Sequence, residues 1–219
     1  MTLIHAGALL ERPPGQKYLA ELDFAELCLP EPLPNAKTLR RWREQMPEEL
    51  TLALVAPRAA CRSDKGPLRF DDAMEATFAR IQEAAEILKV RFVVLQTNSD
   101  VTTGRRDRGL LAAWVERWGD ASSTIVWQPR GLWDPELAIP FARELGVLYG
   151  FDPLSVDAVP TGPVVYARLA TVGARKRFDE TRLLDIVDVL EETEAEHAFV
   201  ALDSPASFRE ATRLGALTL

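Results

Sequence analysis

Apolar residues in this chain fall into short continuous runs, separated by longer segments in which apolar positions recur every three or four residues. Short runs rich in Val, Leu and aromatic residues are typical of strands buried on both faces, and the longer recurrence is typical of helices. The strand-like runs are Leu3–Ala8, Phe24–Leu29, Leu52–Ala56, Phe92–Gln96, Thr124–Trp127, Val147–Phe151, Pro163–Thr171 and Phe199–Leu202. Their alternation with helical segments predicts a parallel sheet with helical crossovers.

The clearest predicted helix lies within residues 71–90, where one apolar stripe follows an acidic first turn. Two further helices are marked by their starting residues. Asn35 is of the type that caps a helix, and Asp134 precedes Pro135, which suits the first helical position because its missing N–H costs nothing there. These signals place helices after the second and fifth strands.

Eight strands and about seven helices in 219 residues predict a compact (β/α)₈ TIM-like barrel, with residues 1–219 forming one domain. The segment between the sixth and seventh strands contains prolines and a glycine, so we expect an irregular crossover there. A doubly wound open sheet is the alternative, because strand order cannot be read from one sequence.

Composition narrows the function classes. The net charge of −7 argues against a surface that binds a polyanion over its whole extent. No apolar run is long enough to span a bilayer and the N-terminus lacks a signal-peptide pattern, so a cytoplasmic location without membrane binding is expected. Cys28 and Cys61 suggest neither a disulfide framework nor a zinc site, and His5 and His197 lack partners at metal-ligand spacing. We predict no metal and no cofactor, since nucleotide-binding and nucleophile motifs are absent too, with magnesium bound by carboxylates as the alternative.

Arg168 is the most informative single residue, because it lies near the end of the buried-looking seventh strand, PVVYARLAT. A charge is not placed in a dry core without a partner. We therefore expect Arg168 where the strand opens into a cleft, within hydrogen-bonding reach of a carboxylate. The carboxyl ends of barrel strands are where such proteins bind ligands.

Six motifs, taken together, resemble the YecE-like family of TIM-barrel proteins, also called domain of unknown function 72. The resemblance runs from about Tyr18 to Leu214 and rests on FAELCL, TLALVAPR, VVLQ, IVWQPRGLW, VVYARLAT and FVALDS. It implies that family residue types are kept at Glu26, Pro57, Arg58, Gln96, Trp133, Asp152 and Arg168. It also implies that they are replaced at Val55, Trp127, Pro129, Arg130, Ala170, Asp203 and Ser204. Most of the replaced groups could move protons, so the resemblance implies vestigial or absent catalysis.

If the family-type residues face the barrel interior, side-chain alternation directs one residue from most strands toward the mouth at the carboxyl ends. The candidates for acid/base catalysis are Glu26 and Asp152, for which a purely structural ion-pair network with Arg168 is the alternative. The candidate ligand-binding residues are Arg58, Gln96, Trp127, Arg130, Arg168 and Asp203. For Trp127 the alternative is ordinary core packing.

Basic residues are concentrated in the segments that follow the third, fourth, fifth and seventh strands. These segments hold eleven Lys and Arg against three Asp, although the whole chain is acidic. Segments that follow strands emerge on one face of a barrel, which predicts a basic rim around the mouth, with charged but merely solvated loops as the alternative. The rim residues singled out are Arg105, Arg106, Arg175, Lys176 and Arg177.

The sequence therefore favours a barrel that binds a small anionic, phosphate-bearing or nucleotide-like ligand at its C-terminal face, and leans against a working enzyme. One alternative is a hydrolase or lyase with Glu26 or Asp152 as acid/base. The other is a protein-interaction module whose rim docks an acidic partner. Nucleic acid stays open as a partner, and the oligomeric state is not predicted.

Overall fold

The computed structural model describes residues 2–119, 122–155, 158–171 and 177–218. Eight parallel strands close into a barrel in the order β1-β10-β9-β8-β7-β6-β3-β2, while β4 and β5 form a separate antiparallel hairpin. The strands are β1 (Leu3–Leu10), β2 (Phe24–Leu27), β3 (Thr51–Val55), β4 (Arg62–Ser63), β5 (Gly66–Pro67), β6 (Phe92–Gln96), β7 (Thr124–Gln128), β8 (Leu148–Phe151), β9 (Val164–Ala170) and β10 (His197–Asp203). The predicted TIM-like barrel is confirmed, and the open-sheet alternative is wrong.

Helices follow most of the barrel strands and cover the outside of the barrel. They are α1 (Gln16–Leu19), α2 (Ala36–Glu44), α3 (Arg58–Cys61), α4 (Asp72–Leu88), α5 (Arg105–Trp118), α6 (Pro135–Glu144), α7 (Glu180–Glu192) and α8 (Ser207–Ala216). Between β8 and β9 the described residues contain no helix, as the prolines of that crossover predict. Among the helices of the described ranges, none has both the length and the apolar character needed to cross a membrane.

The helix starts agree with the residues that predict them. The Asn35 side chain accepts a hydrogen bond from the Thr38 amide at 2.9 Å, so it caps α2. Asp71 does the same for α4 through the Met74 amide, also at 2.9 Å. Helix α6 begins with Pro135 directly after Asp134, although the Asp134 side chain forms no capping bond.

The barrel interior is filled by side chains that alternate inward along the strands. Its middle is an aromatic cluster in which Phe24, Phe92, Tyr166 and Phe199 meet mostly edge to face, with centroid distances between 4.8 and 5.9 Å. On β1, Gly7 leaves room for this cluster, because a Cβ there would lie 2.4 Å from the Phe24 carbonyl oxygen. The interior is therefore a packed core that opens only toward its ends.

Trp127 does not point toward the mouth, so that prediction is wrong. Its neighbour Val126 faces the interior, and Trp127 faces the helices, where it packs against Trp133 and Phe141. Its indole N–H donates to the Thr97 hydroxyl at 3.0 Å. Because Trp127 is fully buried in the outer layer, it belongs to the core, the alternative weighed for it above.

Candidate functional site

A buried ion pair lies at the carboxyl end of the barrel strands, at the upper edge of the aromatic cluster. Arg168 of β9 donates from Nε to Glu26 Oε1 of β2 at 2.7 Å, and Tyr166 donates its hydroxyl to Glu26 Oε2, also at 2.7 Å. Tyr166 and Arg168 are two residues apart on one strand, so alternation turns both side chains inward. The predicted contact between Arg168 and Glu26 is therefore present.

Two glutamines extend this network across the mouth. Gln128 of β7 holds its Oε1 3.4 Å from Arg168 Nη1, and the same oxygen accepts from Gln96 Nε2 of β6 at 2.8 Å. Gln128 also donates from Nε2 to the Arg168 carbonyl oxygen at 3.4 Å. The inward position at the end of β7 is thus Gln128, one residue after the tryptophan that was expected there.

One edge of the Arg168 guanidinium is left open by this network. Nε and Nη1 have partners, but no described residue accepts a hydrogen bond from Nη2. No fully buried side-chain nitrogen or oxygen of the described residues lacks a partner, so Nη2 must reach solvent, although Arg168 as a whole is only 6 % exposed. Two N–H groups of a fixed cation are therefore available to a ligand in the mouth.

The environment fixes the protonation of the groups around the pair. Burial is the largest single influence on the pKa of the Arg168 guanidinium and lowers it, but the charge and hydrogen bond of Glu26, with smaller contributions from Tyr166 and Asp203, together raise the pKa above its ordinary value. Burial, and then the Glu26 charge, raise the pKa of Tyr166 well above its ordinary value. The same two causes raise the pKa of the Cys28 thiol, which faces the interior two residues after Glu26. Cys28 is accordingly a protonated thiol at neutral pH and a poor nucleophile.

Asp152 lies in the turn after β8, and its carboxylate accepts hydrogen bonds from that turn. Its carboxylate accepts from the Leu154 amide at 3.0 Å and from the Ser155 hydroxyl at 3.1 Å. Of the two carboxylates considered for Arg168, Glu26 is the one that binds it. The two acid/base candidates therefore have different surroundings: Glu26 has no exposed surface, and Asp152 is partly exposed.

Other predicted site residues line two cavities around the mouth. A cavity of about 610 Å³ beside β7 and β8 is bordered by Gln128, Arg130 and Asp152. A smaller one of about 220 Å³ beside β3 and β6 is bordered by Arg58 and Gln96. Both cavities border the glutamine pair, so the network separates them.

Asp203 and Val55 also lie at predicted positions. Asp203 ends β10, where its carbonyl oxygen accepts from the Thr171 amide at 3.0 Å, and its charge contributes to the raised pKa of Arg168. Val55 faces the interior at the end of β3. Neither side chain contacts the Arg168 guanidinium through a hydrogen bond.

The basic rim is only partly available for a ligand. Arg62 forms an ion pair with Asp100, Arg69 donates to the Lys65 carbonyl oxygen at 3.1 Å, and Arg108 stacks over Trp133 at 5.2 Å. These three arginines hold the segments around the mouth together.

The other rim arginines form no ion pair with a described residue. Arg105 and Arg106 are exposed on the first turn of α5, where the positive end of the helix dipole disfavours them by about 0.3–1 kcal/mol each. The remaining unpaired ones are Arg58, Arg130 and Arg177. Arg175 and Lys176 lie outside the described residues.

Two members of the network, Tyr166 and Gln128, were missed at the sequence level. Tyr166 could have been found from the sequence, since it is two residues before Arg168 on the same strand and must share its face. Gln128 was harder to find, because β7 was expected to end at Trp127. Among the described residues, no group of three or more His, Cys, Asp or Glu could hold a metal ion.

Comparisons with known proteins support the fold. No protein-family model and no curated protein matches the chain. Among solved structures, a DUF72 family protein from Thermotoga maritima matches with a TM-score of 0.74 and 13% identity, covering 99% of both chains. A DUF72 family protein from Enterococcus faecalis matches at 0.70 and 15%, covering 100% of this chain and 99% of the other. A xylose isomerase domain containing protein from Salmonella typhimurium matches at 0.66 and 13%, covering 97% and 94%.

All three likenesses extend over nearly the whole of both chains, so they concern the complete barrel and not a shared fragment. At sequence identities this low, the three likenesses show the fold alone. The chain therefore has the fold of the DUF72 family proteins, the family that its strand motifs resemble.

Proposed function

We propose that the protein is a divergent YecE-like barrel that binds a phosphate-bearing or nucleotide-like anion at the mouth through Arg168. The observation that carries this proposal is the open edge of the guanidinium. Nε is held by Glu26, while Nη2 keeps its two N–H groups toward the mouth with no acceptor among the described residues. Each of these N–H groups can donate a charge-assisted hydrogen bond to an oxygen of a phosphate or carboxylate.

Glu26 acts in this proposal as a positioning residue. Its carboxylate fixes the guanidinium plane and offsets part of its charge, so a ligand anion meets a pre-oriented donor. The attraction of the mouth for anions then depends on the unpaired arginines of the rim, among them Arg58 and Arg130, which border the two mouth cavities. Such exposed charges act mainly on the rate of encounter.

Acid/base catalysis receives less support than binding. The Glu26 side chain has no exposed surface, and Arg168 and Tyr166 each donate to one of its oxygens, so a substrate proton could reach Glu26 only if these side chains moved. Asp152 accepts hydrogen bonds from its own turn. The hydrolase or lyase alternative would need Asp152 to leave those bonds, and the proposal therefore keeps catalysis vestigial or absent.

A protein-interaction role is the second candidate, and two observations favour it. Arg168 inside the mouth is only 6 % exposed, whereas Leu132, two residues after Arg130 on the rim, is 64 % exposed. An exposed leucine next to an unpaired arginine suits the rim of a protein interface. An acidic partner would then cover the rim without entering the mouth.

Calorimetric titration with inorganic phosphate and adenosine monophosphate, at 0.1 M and at 1 M salt, tests the proposal. We expect binding that weakens as the Debye length falls from about 10 Å to about 3 Å. In stopped-flow kinetics with the same probes, the variant Arg105→Glu/Arg106→Glu should slow association more than it speeds dissociation. The matched control is Arg40→Glu/Arg41→Glu on the outer surface of α2, which should leave both rates unchanged.

Arg168 itself is tested with a variant that removes both buried charges, Glu26→Leu/Arg168→Met, so that no lone charge is left behind. Its affinity for both probes should be lost while the fold is retained. Binding that is indifferent to salt and to this variant would contradict the anion site. No binding of either probe at low salt would also contradict the anion site. The protein-interaction role would then be the remaining candidate.

A further inference from the structure

A separate cavity of about 410 Å³ opens at the opposite, N-terminal end of the barrel. It lies between the starts of β7, β8 and β9 and the end of α6, with the loop of residues 160–163 on one side. Volumes of several hundred Å³ are typical of sites for small molecules. The cavity is therefore large enough for a ligand and is distant from the mouth.

Two arginines line this cavity, and neither has its charge neutralised by an ion pair with a described residue. Arg91 lies with its guanidinium over the rings of Phe92 and Phe199, at 5.2 and 4.7 Å from their centroids. Arg143 donates from Nη2 to the Thr161 hydroxyl at 3.3 Å. Neither arginine forms an ion pair with a described residue, and no Asp or Glu is among the described residues that line the cavity.

These contacts hold the two guanidiniums in place without cancelling their charge. Aromatic faces attract a cation but leave its N–H groups free, and a threonine hydroxyl takes up only one of the five donors of an arginine. The remaining donors can serve a ligand. In a chain with a net charge of −7, a cavity whose described lining residues include two cations and no carboxylate is a local exception.

The rest of the wall is mainly apolar. Ile139 and Ala142 of α6, and Val147, Leu148 and Val164 at the strand starts, face the cavity. A phosphate or a polar sugar would leave this wall uncovered, whereas an apolar chain or ring would bury it, at about 25 cal/mol per Å². The apolar wall and the two arginines together favour a ligand that is apolar over most of its length and anionic at one end.

We propose that this cavity binds a small amphipathic carboxylate, with the carboxylate at Arg91 and Arg143 and the apolar body against α6 and the strand starts. The proposal does not rest on the function proposed for the mouth. The two sites differ in chemistry, since the mouth offers a polar network and this cavity an apolar wall.

Calorimetric titration with octanoate, and with 1-octanol as the uncharged counterpart, tests this proposal. We expect octanoate to bind and octanol to bind at least tenfold more weakly. Arg143→Gln and Arg91→Gln should each weaken octanoate binding about tenfold, the usual loss for a hydrogen bond to a charged group. Arg40→Gln on the outer surface of α2 is the matched control and should change octanoate affinity less than twofold.

The position of the bound octanoate is checked by NMR, which does not depend on the variants folding well. The backbone amide signals of Thr161 and Gly162 should shift on addition of octanoate, and the side-chain amide signals of Gln96 and Gln128 should not. Equal affinity for octanol and octanoate, unchanged affinity in both arginine variants, or shifts confined to the mouth glutamines would each overturn the proposal.

Discussion

The two ends of the barrel interior place charged groups in opposite surroundings. At the C-terminal end, the ion pair of Glu26 and Arg168 is almost entirely removed from water, at 0 and 6 % exposure. At the N-terminal end, His5 contacts Asp23 at 2.6 Å and His197 at 3.1 Å, and the Asp23 side chain is 61 % exposed. The aromatic cluster separates the two groups.

The comparison bears on why each group is present. Removing two charges from water costs several kcal/mol per ion, so a buried ion pair is a weak source of stability and an apolar pair of similar size would often serve as well. The pair of His5 and Asp23 is only partly removed from water, with side-chain exposures of 14 and 61 %, so it costs less to form and contributes little. We interpret the buried pair of Glu26 and Arg168 as a feature kept for ligand binding. We interpret the cluster of His5, Asp23 and His197 as a minor stabilising contact.

The largest expected effect comes from breaking the buried pair. Glu26→Gln leaves the Arg168 charge buried without a counter-ion, so the free energy of unfolding should fall by about 3–5 kcal/mol. The measurement is urea unfolding at neutral pH. The control is Glu26→Leu/Arg168→Met, which removes both charges and should lose much less. A double variant as unstable as Glu26→Gln would mean that the pair itself stabilises the barrel.

A smaller effect is expected at Tyr166. Tyr166→Phe removes the hydroxyl that donates to Glu26 Oε2, and hydrogen bonds to charged groups contribute about 1.5–3 kcal/mol. Urea unfolding should show a loss of that size in the native background. In the Glu26→Leu/Arg168→Met background the same substitution should cost much less, because the acceptor is gone. An equal cost in both backgrounds would contradict the assigned hydrogen bond.

The smallest effect on the free energy of unfolding is expected for Asp23 at the N-terminal end of the barrel, and this effect depends on pH. The hydrogen bond from His5 lowers the pKa of the Asp23 carboxyl below its ordinary value of about 3.9. A lowered folded pKa contributes stability above the unfolded pKa, and that contribution is lost as pH falls through the folded pKa. Asp23→Asn should therefore cost less than about 1 kcal/mol at pH 6 and nothing at the acid end. A cost that persists in acid would show a role other than charge.

The sequence allowed the barrel and the central ion pair to be predicted, because each follows from a local rule. Strand-like runs alternate with helical ones, and Arg168 on a buried strand requires a partner that Glu26, also on a buried strand, can supply. The side-chain direction on β7 could not be predicted in the same way. Val126 and Trp127 are both fully buried, one inside the barrel and one under the helices, so hydrophobicity does not distinguish the two faces.

Other contacts between distant parts of the chain could not be predicted from the sequence. His5 and His197 lie 192 positions apart and meet only because β1 and β10 pair when the barrel closes. The stacking of Arg108 over Trp133 is of the same kind and removes one arginine from the expected basic rim. A count of charges in loops cannot separate arginines that hold a structure together from those that face a ligand.

The central claim, that Arg168 is the anion anchor of the mouth, is tested most directly by NMR of the arginine side chains in ¹⁵N-labelled protein. The Arg168 Nε signal is identified by its loss in the Glu26→Leu/Arg168→Met variant. We predict that inorganic phosphate at low salt shifts this signal saturably, and that octanoate leaves it in place. Phosphate that shifts only the signals of exposed arginines, with the Arg168 signal unmoved, would contradict the account.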